Sequence, residues 1–156
     1  MERSLRLPGL ALLATLTALI TVAASTGAAS TLHERKEVAG LAVVFGAEPE
    51  PAITEEMQFL RWRVSSLDDQ EPYTDFQDAE VVIARDGEEL GTFPLRGSRR
   101  DPGLYQTRHI FTEAGEYDTV LSFRKGEEEE VHTVDFKFRI AARSSLEIPR
   151  RKGDGR

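Results

Sequence analysis

The chain contains no cysteine. That excludes disulfide stapling, thiolate metal centres, cysteine nucleophiles and a lipid-modified cysteine. The stability of its 156 residues must therefore come from apolar burial, and a domain of roughly 110 residues is large enough to supply it. Methionine is almost missing as well, with only Met1 and Met57, so there is no methionine-rich metal tract. The three histidines stand far apart with no His-x-His pair. No G-x-S-x-G elbow, H-E-x-x-H pair or glycine-rich phosphate loop occurs, and a nucleophile needs its base close by. Adjacent carboxylates such as Asp68 and Asp69 are too common in an acidic chain to indicate glycoside hydrolysis. The expectation is a protein that is not an enzyme.

Net positive charge is also lacking. The formal charge is −7, and it is unevenly spread. Residues 1–30 balance to +1 and residues 143–156 to +3, which leaves −11 for the section between. So acidic a surface repels phosphate backbones, so no nucleic-acid role is expected.

The one long apolar run lies at the start. Arg3 and Arg6 precede an uncharged stretch from Gly9 to Ala24, and small residues follow up to Ser30. This is the order of a secretory signal peptide, with cleavage after Ala29 or Ser30. The same stretch is about long enough, at roughly 20 residues, to remain as a membrane anchor. Both readings place the remainder outside the cytoplasm, in the periplasm or at the cell surface. Any membrane contact is then expected only through an uncleaved N-terminal segment. The division is residues 1–30 as signal or anchor, 31–142 as the folded domain and 143–156 as a basic tail expected to be disordered.

Within 31–142 the dominant signal is alternation at period two, the mark of strands with one buried face. TLHERKE is short and polar, and either frays or leads into the first strand. Val38 to Phe45 then reads as a strand stopped at Gly46, with Pro49 and Pro51 beyond it. Leu60, Trp62 and Val64 set one face of the next strand, and Trp62, the only tryptophan, is expected to plug the core. An acidic loop follows, carrying Asp68, Asp69, Glu71, Asp75 and Asp78. It holds oxygen ligands suited to calcium but lacks EF-hand spacing. Asp86-Gly87 marks a hairpin whose return strand runs through Leu90 and Thr92 toward Leu95, with Pro94 placing it at an edge. Gly103 to Phe123 gives two strands around a corner at Glu113-Ala114-Gly115, with Tyr117, Thr119, Leu121 and Phe123 on one face. The last strand points His132, Val134, Phe136, Phe138 and Ile140 inward. The sum is an all-β, antiparallel, immunoglobulin-like β-sandwich of about seven strands after the N-terminal signal or anchor helix.

Three pieces, Asp78-Ala79-Glu80-Val81, Pro102-Gly103-Leu104-Tyr105 and Gly115-Glu116-Tyr117, fall in an order that resembles exported bacterial Ig-like domains of the YtkA-like or copper-chaperone-like kind. Each piece is a turn or the start of a strand, of a type many sandwich families share. The resemblance implies copper held by imidazole and thioether, for which this chain offers His33, His109, His132 and Met57. The leading expectation is a non-enzymatic extracytoplasmic binding or accessory module of the cell envelope with a protein partner. The alternative is a periplasmic copper- or calcium-binding domain.

Overall fold

In the computed structural model, which describes residues 33–146, the alternation lays out nine antiparallel strands. They are β1 (His33–Val38), β2 (Leu41–Glu48), β3 (Met57–Ser66), β4 (Phe76–Arg85), β5 (Glu88–Pro94), β6 (Arg96–Gly97), β7 (Leu104–Ile110), β8 (Gly115–Lys125) and β9 (Val131–Ile140). The signal or anchor expected at 1–30 and the tail beyond Leu146 lie outside the described residues. Of the tail, Arg143–Ser145 forms a single 3-10 turn, and the Arg143 N–H donates to Thr54 Oγ1 at 3.0 Å.

One sheet has five strands in the order β1-β2-β3-β7-β6, and the other has four in the order β5-β4-β8-β9. Apart from β1 this is the ABED-against-C′CFG order of an immunoglobulin-like sandwich. Two strands exceed the seven expected. β6 is only two residues long. β1 arises because Ala39 and Gly40, with φ of 51° and 73°, close a two-residue turn inside the supposed single strand Val38 to Phe45. Of the two readings of TLHERKE, its HERKE part does not fray but pairs along β2 as a strand of its own. Gly46 does not stop the second strand, which runs on to Glu48 and ends at Pro49. The acidic loop is also shorter than expected, since β4 begins at Phe76 and passes Asp78 in a bulge with φ of 49°.

The core lies between the sheets. Trp62 on β3 is fully buried and packs at a tilt, 5.1 Å from Phe45 of β2, which in turn stacks on Phe136 of β9 at 5.3 Å. Trp62 is thus the plug its strand position predicts, although its indole N–H has no protein partner. Phe76 bridges the layers lower down, 4.0 Å from Phe123 and 4.5 Å from Tyr105. Each such ring is worth about 1.5–3 kcal/mol of burial, and together they replace the absent disulfides.

The corner from β7 to β8 carries the chain from one sheet to the other. Tyr117 fixes it: its hydroxyl donates to the Glu113 carbonyl at 2.7 Å while its ring packs on Phe111 at 4.7 Å. This is the tyrosine corner of Greek-key sandwiches. At the other end, Gly103 turns the chain with φ of 76°, and a Cβ there would sit 2.6 Å from the Val64 carbonyl oxygen. Only glycine fits at that position.

Candidate functional site

The expected metal ligands are dispersed. His33 starts β1 at an exposed edge, with Nδ1 3.6 Å from Glu50. His109 points inward from β7 between Phe93 and Phe111, at ring distances of 5.1 and 4.9 Å, and burial pushes its pKa below the ordinary value. His132 opens β9 at the opposite end of the sandwich, with Nε2 3.2 Å from Glu128. Eight residues of strand separate it from Ile140, roughly 26 Å at the rise of an extended chain, so it cannot share an ion with His33 or His109. Met57 lies on the outer face of β3, opposite Ile110, whereas His109 lies on the inner face.

Three of the five carboxylates of the acidic loop are engaged locally. Asp69 accepts the Glu71 N–H at 3.1 Å, Asp75 accepts from Gln77 at 2.6 Å, and Asp78 pairs with Arg124. Among the described residues no group of three or more His, Cys, Asp or Glu gathers as a metal site.

What does gather is a set of arginines that linear reading leaves scattered. Residues paired across antiparallel strands point to the same side, so the register places Arg35 of β1, Arg61 and Arg63 of β3, Arg96 of β6 and Arg108 of β7 together on the outer face of the five-stranded sheet. In one row His33, Gly46, Arg61, Gln106 and Arg96 follow one another across the sheet. The opposing carboxylates on this face are Glu37 and Glu48 from the strands and Asp101 from the loop before β7. The outer face of the other sheet differs, carrying Glu80, Glu116, Asp118 and Asp135 against Arg124, Lys137 and Arg139. In an acidic domain the basic excess is thus confined to one side.

Three of these arginines are already held. Arg35 meets Glu37 at 2.8 Å, and Arg61 meets Glu48. Arg63 grips Asp101 through both guanidinium nitrogens, at 3.0 and 2.7 Å. This fork raises the Arg63 pKa and holds the Asp101 carboxyl below the usual carboxylate range. Arg96 and Arg108 have no ion pair among the described residues.

Three surface grooves open on this same face. One of about 550 Å³ lies by Arg35 and Arg63 under the loop holding Gln70 and Pro72. A smaller one of about 240 Å³ lies between His33, Glu48 and Arg61. The third, about 430 Å³, is lined by Phe59, Arg96, Gln106 and Arg108. Beside it sit Met57, Phe59 and Ile110, exposed by 40%, 38% and 49%, and Met57 is the cross-strand partner of Ile110. An exposed apolar band thus lies next to two guanidinium groups that have no ion pair among the described residues. Sequence reading missed it because the arginines come from four strands and the apolar residues occupy outward positions.

No protein-family model matches the chain, and no curated protein matches it. Among solved structures it is similar to CopC from Methylosinus trichosporium OB3b, at 11% identity and a TM-score of 0.44, over 65% of this chain and 91% of that one. It is also similar to an engineered protein, at 19% identity and a TM-score of 0.41, over 64% of this chain. This chain spans 20% of the length of that engineered protein.

Proposed function

We propose that this protein is a non-enzymatic, extracytoplasmic binding or accessory module of the cell envelope, and that it takes its protein partner on the outer face of the five-stranded sheet. The observation that carries the reading is the concentration of five arginines, three grooves and the Met57–Phe59–Ile110 band on one side of an otherwise acidic sandwich. Arginine and aromatic side chains are the groups that anchor protein interfaces. A sandwich held by its core alone can carry such a face without disturbing its fold. The export reading rests on the basic, apolar and small-residue order of residues 1–30.

The test is site-specific photo-crosslinking in intact cells. A crosslinker at Gln106, in the middle of the face, should capture a discrete envelope protein, whereas one at Thr133 on the other sheet should not. Uncrosslinked monomer from both positions, or equal capture from both, overturns the assignment. Calorimetric titration of the protein with Cu(I), Cu(II) and Ca²⁺ tests the metal-binding alternative, in which His33, His109, His132 and Met57 would each have to act apart from the others.

A further inference from the structure

We propose that the β6–β7 half of this face binds an extended acidic peptide segment of the partner, with carboxylates seated on Arg96 and Arg108 and an apolar side chain on the Met57–Phe59–Ile110 band. This rests on the reading of the face as a protein-binding surface and adds the chemistry of what binds there.

Charge is the first argument. Residues 33–146 contain 24 acidic and 14 basic side chains, so a cation on this domain has many carboxylates to find. Arg35, Arg61 and Arg63 have found theirs; Arg96 and Arg108 have not, and of the arginines without an ion pair among the described residues these two share one groove. These two lie on adjacent strands. Arg96 is paired in register with Gln106, and Arg108 is two residues further along the same side of β7. Their backbone positions are therefore about 8 Å apart, from a strand spacing of ~4.8 Å and a same-side repeat of ~6.8 Å. Both line the groove of about 430 Å³, and each presents a planar fork of donors suited to a carboxylate.

Pitch is the second argument. Gln106, Arg108 and Ile110 point outward in sequence along β7, at the same repeat of roughly 7 Å with which an extended peptide presents alternate side chains. An acidic residue over Arg108 brings the residue two positions on over Ile110, where Met57 and Phe59 complete an apolar seat. The pattern read is acidic, any, acidic, any, apolar.

Neighbouring charge favours a peptide. Glu48, the cross-strand neighbour of Phe59, stands beside the apolar band, so a flat anionic bilayer spread over the whole face would meet it, whereas a single peptide strand lying along β7 keeps to the side of Arg96 and Arg108. A polyanionic sugar carries no aliphatic side chain to fill the seat made by Met57, Phe59 and Ile110. Glu48, already held by Arg61, also closes the β2 side and leaves the β6–β7 side open to the peptide.

The experiment uses the full chain and a fluorescein-labelled peptide of sequence Ser-Glu-Ser-Glu-Ser-Leu, read by anisotropy. Its controls are a twin with lysine for glutamate and one with serine for leucine. The acidic peptide should bind, and binding should weaken several-fold between low and physiological ionic strength. Arg96→Ala and Arg108→Ala should each cost about tenfold in affinity. Phe59→Ser should cost affinity only for the peptide that carries leucine, and Arg139→Ala on the other sheet should cost nothing. Equal binding of the lysine twin, no binding of the acidic peptide, or indifference to both arginines overturns the proposal. If the peptide fails but phosphatidylglycerol vesicles or polygalacturonate bind in a manner dependent on Arg96 and Arg108, the peptide assignment falls and the face survives as a binding surface. If none of these probes depends on the arginines and the Gln106 crosslinker captures no partner, the parent reading falls as well.

Discussion

Replacing Tyr117 by phenylalanine deletes one oxygen from the corner that joins the sheets. The ring keeps its packing on Phe111 and Phe138, at 4.7 and 5.6 Å, and remains under the Arg85 guanidinium at 5.9 Å. What is lost is the 2.7 Å hydrogen bond to the Glu113 carbonyl. A neutral hydrogen bond of this kind contributes about 1 kcal/mol net, and the partly buried carbonyl left behind keeps the figure from falling much lower. For a domain of roughly 110 residues, an unfolding entropy of about 2.1 cal/mol/K per residue converts this into a melting-point drop of ~4 °C. Thermal denaturation followed by circular dichroism, with urea titration alongside, reads both quantities. Glu113→Ala is the control: it removes the ion pair to Arg85 but leaves the backbone carbonyl, and an exposed pair of this kind is worth little. Tyr117→Ala, which also empties the ring's site, should cost about 3–5 kcal/mol. If Tyr117→Phe melts with the unaltered protein, or if Glu113→Ala is the more damaging change, the corner is held by something other than the hydroxyl.

Two further substitutions test other parts of the fold. Gly103→Ala places a methyl group 2.6 Å from the Val64 oxygen and 3.0 Å from Pro72 Cβ at φ of 76°, and that oxygen is fixed by accepting the Tyr73 N–H at 3.0 Å. The expected loss is at least about 2 kcal/mol in urea unfolding, and a loss too small to measure would mean that the loop yields easily. His109 is favoured in its neutral form by burial, so its folded pKa lies below the unfolded value of about 6.5. Between those two values the unfolded chain binds more protons than the folded one. The His109 contribution is therefore complete above pH ~6.5 and declines as pH falls toward the folded pKa. His109→Gln should flatten the stability profile in that window, and superimposable urea midpoints for both proteins across it would contradict the assignment.

The sequence alone was enough to read the inward rows Leu60–Trp62–Val64, Tyr117–Thr119–Leu121–Phe123 and Val134–Phe136–Phe138–Ile140, all of them buried, along with the Asp86-Gly87 hairpin. These are legible because alternation and turn chemistry are local: each is set by residues a few positions apart. β1 escaped because it is an edge strand with charges on both sides and little burial, so it shows no apolar alternation. The candidate site was not legible at all. Arg35, Arg61, Arg63, Arg96 and Arg108 span 74 positions of chain, and only the pairing register of β1, β2, β3, β7 and β6 brings them to one face. The same register separates the histidines, sending His132 to one end of the sandwich and His33 and His109 to the other. Which side of a strand a residue faces depends on its own neighbours. Which residues share that side across strands depends on long-range pairing, and that is a property of the folded chain alone.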